Sequence, residues 1–594
     1  MAALFTTPKR NDTTAGIHVA EPDVRRRIGL AHGSWRRVTR RIVAGAVCAL
    51  TVSSLLMPSV SLAAEWVKVG GNKYNTAASD EAGTWSWDGA DDLKLNNYNG
   101  GEIQAAGKLN VNYSGTNIVT AEWIESINVS HGTNENAELN IQGDEGGTLS
   151  VTSTEDAILS TGNINIDGAG SVNATSTGFD AINAGGDLAI KGSGNVNATG
   201  ASDGIRANGN ITIDDSGAVT ARATKDKGIG ADKNLTIKGG GTVEASSADG
   251  EALWSGGNIN ISDGSQVKAS SEKDAAVEAK GSLAATNASL NVNGVEYGVY
   301  AHKGITLEHA NVTVRASKGR YGGANALFTY QDDIVVKNGS TVDAFAEGEV
   351  SAAFSTRNDR PNEKGGHIYI SDSVVKAIAR YVENGDGPIP YSENQDGETR
   401  REPQGENIGI IAQTSEGITP AVISIIRSKV TAEGDTAAIF ARAMSADGKT
   451  IGTIKIENAA IQTPEGGKVI DYRKLRDGIY EAGQAIGTGD ATVDSLYIKA
   501  VAKSTTIAPP EVAKPEDPKP DETKPAESKP AESKQNPKPE GSKPTKAVAA
   551  STTKAKTTGV LAATGDTSGA AIVATVLAGT AAIAAGTMAS RKRS

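Results

Sequence analysis

Asp203-Gly204-Ile205-Arg206-Ala207-Asn208-Gly209-Asn210-Ile211-Thr212-Ile213 is the stretch that decides the fold of this 594-residue chain. Apolar residues alternate with others at Ile205/Ala207 and again at Ile211/Ile213. Between them stands Asn208-Gly209-Asn210, which tolerates a sharp bend. Period-two alternation marks half-buried strands, so two short strands meet here at a corner. The pattern recurs outward in both directions. Ile164/Ile166, Leu188/Ile190, Ile211/Ile213, Leu235/Ile237, Ile259/Ile261, Leu283/Ala285 and Ile305/Leu307 have first members 24, 23, 24, 24, 24 and 22 residues apart. A second column, Val172, Val196, Val219, Val243 and Val267, follows, each Val with Ala two residues later. A third runs through Ile158, Ile182, Ile205, Ile229, Leu253, Val277, Val299 and Leu327.

Each unit of 22–24 residues therefore holds three short strands and no room for a crossover helix. Stacked in register, such units make a parallel β-helix, and parallel crossovers are nearly always right-handed. At ~4.8 Å per coil, a dozen coils give a rod roughly 55–60 Å long. A narrow aliphatic tube needs few aromatics, and Phe, Trp and Tyr make up 4% of the chain. Gly170, Gly194, Gly217 and Gly241 mark one corner, while Asn163, Asp187, Asn210, Asn234 and Asn258 begin successive coils and predict an amide ladder. Less regular coils continue through Ile334/Val336, Ile368/Ile370, Ile423/Ile425 and Ile454/Ile456. The β-helix is expected over 139–502, with an acidic Pro/Gly-containing insertion at 382–406. The Trp/Tyr-richer stretch 64–138 is expected to supply an N-terminal cap and the first strands.

Both ends carry processing signals. A Pro/Lys/Glu-rich stretch within 503–560 places ten of the 19 prolines between Pro509 and Pro544 and predicts a disordered, partly polyproline-II spacer. Leu561-Ala562-Ala563-Thr564-Gly565 follows, then an apolar run over 569–590 and Arg591-Lys592-Arg593. The run is long enough for a transmembrane helix, with its basic end cytoplasmic. This order of spacer, motif, apolar stop and basic tail over 561–594 resembles the cell-wall sorting signal of Gram-positive surface proteins, in the Leu-Ala-X-Thr-Gly variant of high-GC bacteria. The resemblance implies that sortase cuts between Thr564 and Gly565 and joins Thr564 to peptidoglycan. At the other end, arginines precede an apolar run, and Ser61-Leu62-Ala63 has small residues where signal peptidase reads. A signal peptide over 1–63, cleaved after Ala63, is expected to remove the single cysteine, Cys48.

The net charge is −11. Losing nine Lys/Arg and three Asp/Glu with residues 1–63 takes it to −17. Losing three Lys/Arg and one Asp after Thr564 takes it to −19. A surface this acidic argues against nucleic acid and anionic lipid as partners. Membrane contact is expected only through the anchor, before sorting. The localisation expected is secreted, cell-wall anchored and extracellular.

The repeat over Asp203–Ile213 resembles right-handed β-helix carbohydrate-binding domains of Gram-positive cell surfaces. That resemblance implies binding of acidic or cellulosic polysaccharide, with calcium at Asp-rich corners. The matching column two residues before the third-strand aliphatic is Asp156, Asp180, Asp203, Lys227, Glu251 and Ala275. Three stacked carboxylates repel unless a cation lies between them, so Asp156, Asp180 and Asp203 are the candidate calcium ligands. Outward positions of the third strand read Asn183, Arg206, Gly230, Trp254, Glu278, Tyr300 and Phe328. Trp254, Tyr300 and Phe328 are the candidate sugar-stacking residues. No pair of the six histidines has metal-ligand spacing, and nothing singles out a catalytic pair. The function expected is non-catalytic polysaccharide binding or adhesion. A β-helix lyase or hydrolase and a protein-binding adhesin using the insertion are the alternatives.

Overall fold

The computed structural model describes residues 63–510, apart from 122–126, 131–136, 320–321, 360–364, 383–405, 416–417, 447, 477–478, 490–499 and the side chains of 474–476 and 479. The leader, most of the insertion, nearly all of the Pro-rich spacer and the whole sorting signal with its apolar run lie outside the described residues. Within them the chain is all-β, and no helix is long and apolar enough to cross a membrane.

Three ladders of mainly parallel strands run through the chain, as in a β-solenoid. The first pairs Ile164, Leu188, Ile211, Leu235, Ile259, Leu283 and Ile305 on consecutive coils. It continues through Ile334, Ile368, Ile423 and Ile454. The second stacks Val172, Val196, Val219, Val243, Val267, Leu290 and Val312. The third stacks Ile158, Ile182, Ile205, Ile229, Leu253, Val277, Val299 and Leu327. All three columns point inward and merge in one buried aliphatic core. Each fully buried Ile or Leu contributes roughly 1.5–3 kcal/mol relative to exposure, which is why the register is held so tightly.

The corners explain the polar columns. Between the third and first sheets, the side chain of each coil-starting residue accepts from the next coil's amide. Asn163 Oδ1 accepts from Asp187 N at 2.8 Å, Asp187 Oδ1 from Asn210 N at 2.7 Å, Asn210 Oδ1 from Asn234 N at 3.2 Å and Asn234 Oδ1 from Asn258 N at 2.9 Å. Glycine stands one position earlier at 162, 186, 209, 257 and 281, whereas Lys233 holds that place before Asn234. A Cβ on Gly209 would lie 2.1 Å from Asp187 Oδ1, and one on Gly281 would lie 2.1 Å from Asn258 Oδ1.

Antiparallel strands finish both ends of the ladders. Val67–Val69 pairs antiparallel with Asn72–Tyr74 and Ile103–Ala106. Trp85–Trp87, with both indoles buried, pairs antiparallel with Asp92–Asn96. At the far end Lys468–Arg476 and Ile479–Gly487 form an antiparallel pair whose second strand lies against Ala437–Ser445. Ser504–Ala508 runs antiparallel between Lys429–Gly434 and Ala460–Thr463.

Candidate functional site

The third sheet has strands of only three residues over much of its length, such as Ile205–Ala207 and Leu253–Ser255. Each such strand therefore has one outward position. Arg206, Gly230, Trp254, Glu278, Tyr300 and Phe328 follow one another on consecutive coils. Tyr300 and Phe328 are in contact, with ring centroids 5.2 Å apart. Two rings absent from the expected set join them. Tyr297 stacks on Tyr300 at 5.0 Å and meets Phe328 at 5.2 Å, and His302 also stacks on Tyr300, at 4.3 Å. Trp254 stands apart, two coils from Tyr300, with the Lys227 ammonium 5.2 Å from its ring centroid.

Glu278 lies between Trp254 and Tyr300 in this row. Its carboxylate accepts from Lys280, and its Oε1 is 3.1 Å from His302 Nε2. It is also hydrogen-bonded to Glu251 of the preceding coil. Two carboxyl groups hydrogen-bonded to each other must share a proton. Burial and the bond to Glu278 push Glu251 up to about 7. Burial works in the same direction on Glu278, but the bonds from Lys280, Glu251 and His302 overcome it and hold Glu278 below the usual glutamate range.

On the corner between the second and third sheets, the column of aspartates stacks as its spacing requires. Asp156 Oδ1 accepts from Asp180 N at 2.9 Å, Asp180 Oδ1 from Asp203 N at 2.9 Å, and Asp203 Oδ1 from Lys227 N at 2.6 Å. The second oxygens also have protein neighbours. Asn183 Nδ2 donates to Asp156 Oδ2 at 3.0 Å, and Arg206 Nη1 is 3.5 Å from Asp203 Oδ2. Asp180 and Asp203 are 7% and 1% exposed. Burial, reinforced by neighbouring aspartates against the amide bond, pushes Asp203 up to about 6 and raises Asp180. Phe179, beside Asp180, is 52% exposed.

A trough of about 540 Å³ runs along the corner between the third and first sheets. One wall is the amide ladder of Asn163, Asp187, Asn210, Asn234 and Asn258. Its floor is the outward row of the first sheet, Asn165, Ala189, Thr212, Thr236 and Asn260. The ladder was legible in the sequence. The trough was missed, although small residues at 189, 212 and 236 beside amides at fixed spacing are its signal.

Of the other expected site residues, Ala63 is exposed and bridges to Lys108. Leu561, Ala562, Ala563, Thr564 and Gly565 lie outside the described residues. Among the described residues, Asp88, Asp91 and Asp92 bring carboxylate oxygens within 4.8 Å of one another. There Asp88 Oδ1 accepts from the Ala90 and Asp92 amides, so the cluster serves its own turn. Gly200-Ala201-Ser202-Asp203-Gly204 spells the Gly-x-Ser-x-Gly pattern, but it joins strands Val196–Gly200 and Ile205–Ala207, whereas a nucleophile elbow needs a strand-to-helix turn. Comparison of the chain with family models, with curated proteins and with solved structures gave no match.

Proposed function

We propose that this is a secreted surface protein, joined to peptidoglycan by sortase through Leu561–Gly565, that binds polysaccharide without catalysis through a right-handed parallel β-helix. The observation that carries the binding is the outward ring cluster of Tyr297, Tyr300, His302 and Phe328, continued two coils away by Trp254. Aromatic faces on a rigid sheet offer sugar rings an apolar platform. The coil spacing of ~4.8 Å is close to the length of one sugar in an extended chain. The right hand rests on the strong preference of parallel crossovers. Calcium belongs to the same reading, at Asp156, Asp180 and Asp203; since each Oδ1 there accepts the next coil's amide, the ion would rest on their second oxygens and neighbouring backbone carbonyls.

A glycan array probed with the full-length protein, with and without a chelator, tests this reading. Binding is expected to at least one linear polysaccharide, and loss of signal in chelator is expected if calcium takes part. Trp254→Ala is expected to weaken glycan retention several-fold in affinity electrophoresis, and unchanged migration would remove Trp254 from the site. The split Glu251–Glu278 pair is the one observation that favours a lyase or hydrolase. Hydrogen-bonded carboxyls lie closer than the ~5 Å or more that flanks a glycosidic oxygen, so binding is the better reading.

A further inference from the structure

We infer that the amide-walled trough between the third and first sheets seats an uncharged linear glycan lying parallel to the coil axis, one sugar per coil. This deepens the polysaccharide reading and rests on it. The trough crosses five coils, from Asn163 to Asn258, which is four spacings or ~19 Å. Its floor is shallow-sided and small at Ala189, Thr212 and Thr236, so an extended chain can lie against the sheet without displacing side chains.

The polar groups on offer are neutral and repeat with the coil. The Thr212 and Thr236 hydroxyls and the Asn260 amide make no hydrogen bond to protein among the described residues, and each faces a lining of amides. A ligand without hydroxyls would leave these groups unpaired on docking, which costs more than the contact gains. No Lys or Arg lines the trough, so an acidic sugar would bury its charge without a partner. The single carboxylate, Asp187, already accepts from Asn210 N at 2.7 Å and Asn210 Nδ2 at 3.1 Å. The Trp254 ring leans toward the same corner, its Cη2 3.4 Å from where a Cβ of Gly256 would stand, two residues before Asn258. The indole stands beside the corner that the trough follows, outside its lining.

The test uses the full-length chain, calorimetry, and uncharged glucan, mannan and xylan oligosaccharides beside oligogalacturonate of the same lengths. At least one uncharged series should bind, with affinity rising up to about five sugars and then levelling. Thr212→Lys combined with Thr236→Lys should weaken that binding at least tenfold at an unchanged melting temperature. Ala189→Lys, a single change on the same floor, should reproduce the loss and serves if the double variant melts early. Parent-like binding by these variants, with loss in Trp254→Ala, would overturn the trough and leave polysaccharide binding standing. Tighter binding of oligogalacturonate than of every uncharged series would overturn the charge selection. No binding of any oligosaccharide by the parent chain would overturn both readings.

Discussion

Glu251 and Glu278 make the ring-bearing face sensitive to protons. Glu251 faces Glu278, Asp274 and Lys227, and Glu278 faces Lys280 and His302, so the pair sits among charges of both signs. A glutamate ordinarily near 4.5 that is held up to about 7 keeps its proton in the folded chain while the unfolded chain releases it. Its contribution to stability is complete below about pH 4.5 and is lost as pH rises through about 7. Asp203, pushed up to about 6, acts in the same direction over a lower window. Glu278, with a lowered value, acts oppositely and only in more acid solution. Glu251→Gln keeps a donor toward Glu278 and removes the titration. The variant is expected to flatten the fall in melting temperature between about pH 4.5 and 7, and an unchanged slope would show that the proton is not shared.

At the scale of the corner, the glycine columns are spaces for the preceding coil's side chains. Gly209→Ala would set a methyl 2.1 Å from Asp187 Oδ1 and 2.7 Å from the Gly186 carbonyl. Overpacking of this kind typically costs about 1–3 kcal/mol, so a lower midpoint in urea with unchanged slope is expected. Asn210→Ala should cost about 1 kcal/mol through the lost bonds to Asp187 and Asn234. Much of this architecture was readable in advance because one rule, three short strands per two dozen residues, holds from Ile158 to Ala285. The rule predicts Ile205 over Ile182 and Val219 over Val196, and both pairings occur. It fails where third-sheet strands lengthen, to five residues at Tyr297–Ala301 and seven at Gly323–Thr329. There Tyr297 pairs with Asn325 and brings a second tyrosine onto the face, which a one-residue-per-strand reading does not foresee. The Glu251–Glu278 bond was hidden for a similar reason, since it joins a corner residue to a strand residue of the next coil.

Among the described residues each coil's strands pair with those of the coils before and after it, so the stability of the stack is approximately a sum of neighbouring-coil terms. Ile211→Ala in a fully buried central position is expected to cost about 2–5 kcal/mol, measured by denaturant unfolding. Exchange of amide hydrogens should be slowest in central strands such as Ile211–Asp214 and faster in Thr453–Glu457, where only Ile454 is buried.

The stacking of parallel strands also sets how the protein yields to a pull. The bonds joining one coil to the next point along the axis, so tension applied between the ends of the stack loads them a layer at a time instead of all together. Each layer that opens pays out about 24 residues, or about 80 Å of slack, before the next is strained. A coil held at a surface under flow would give way in small repeated steps, shedding load while its remaining layers stay intact.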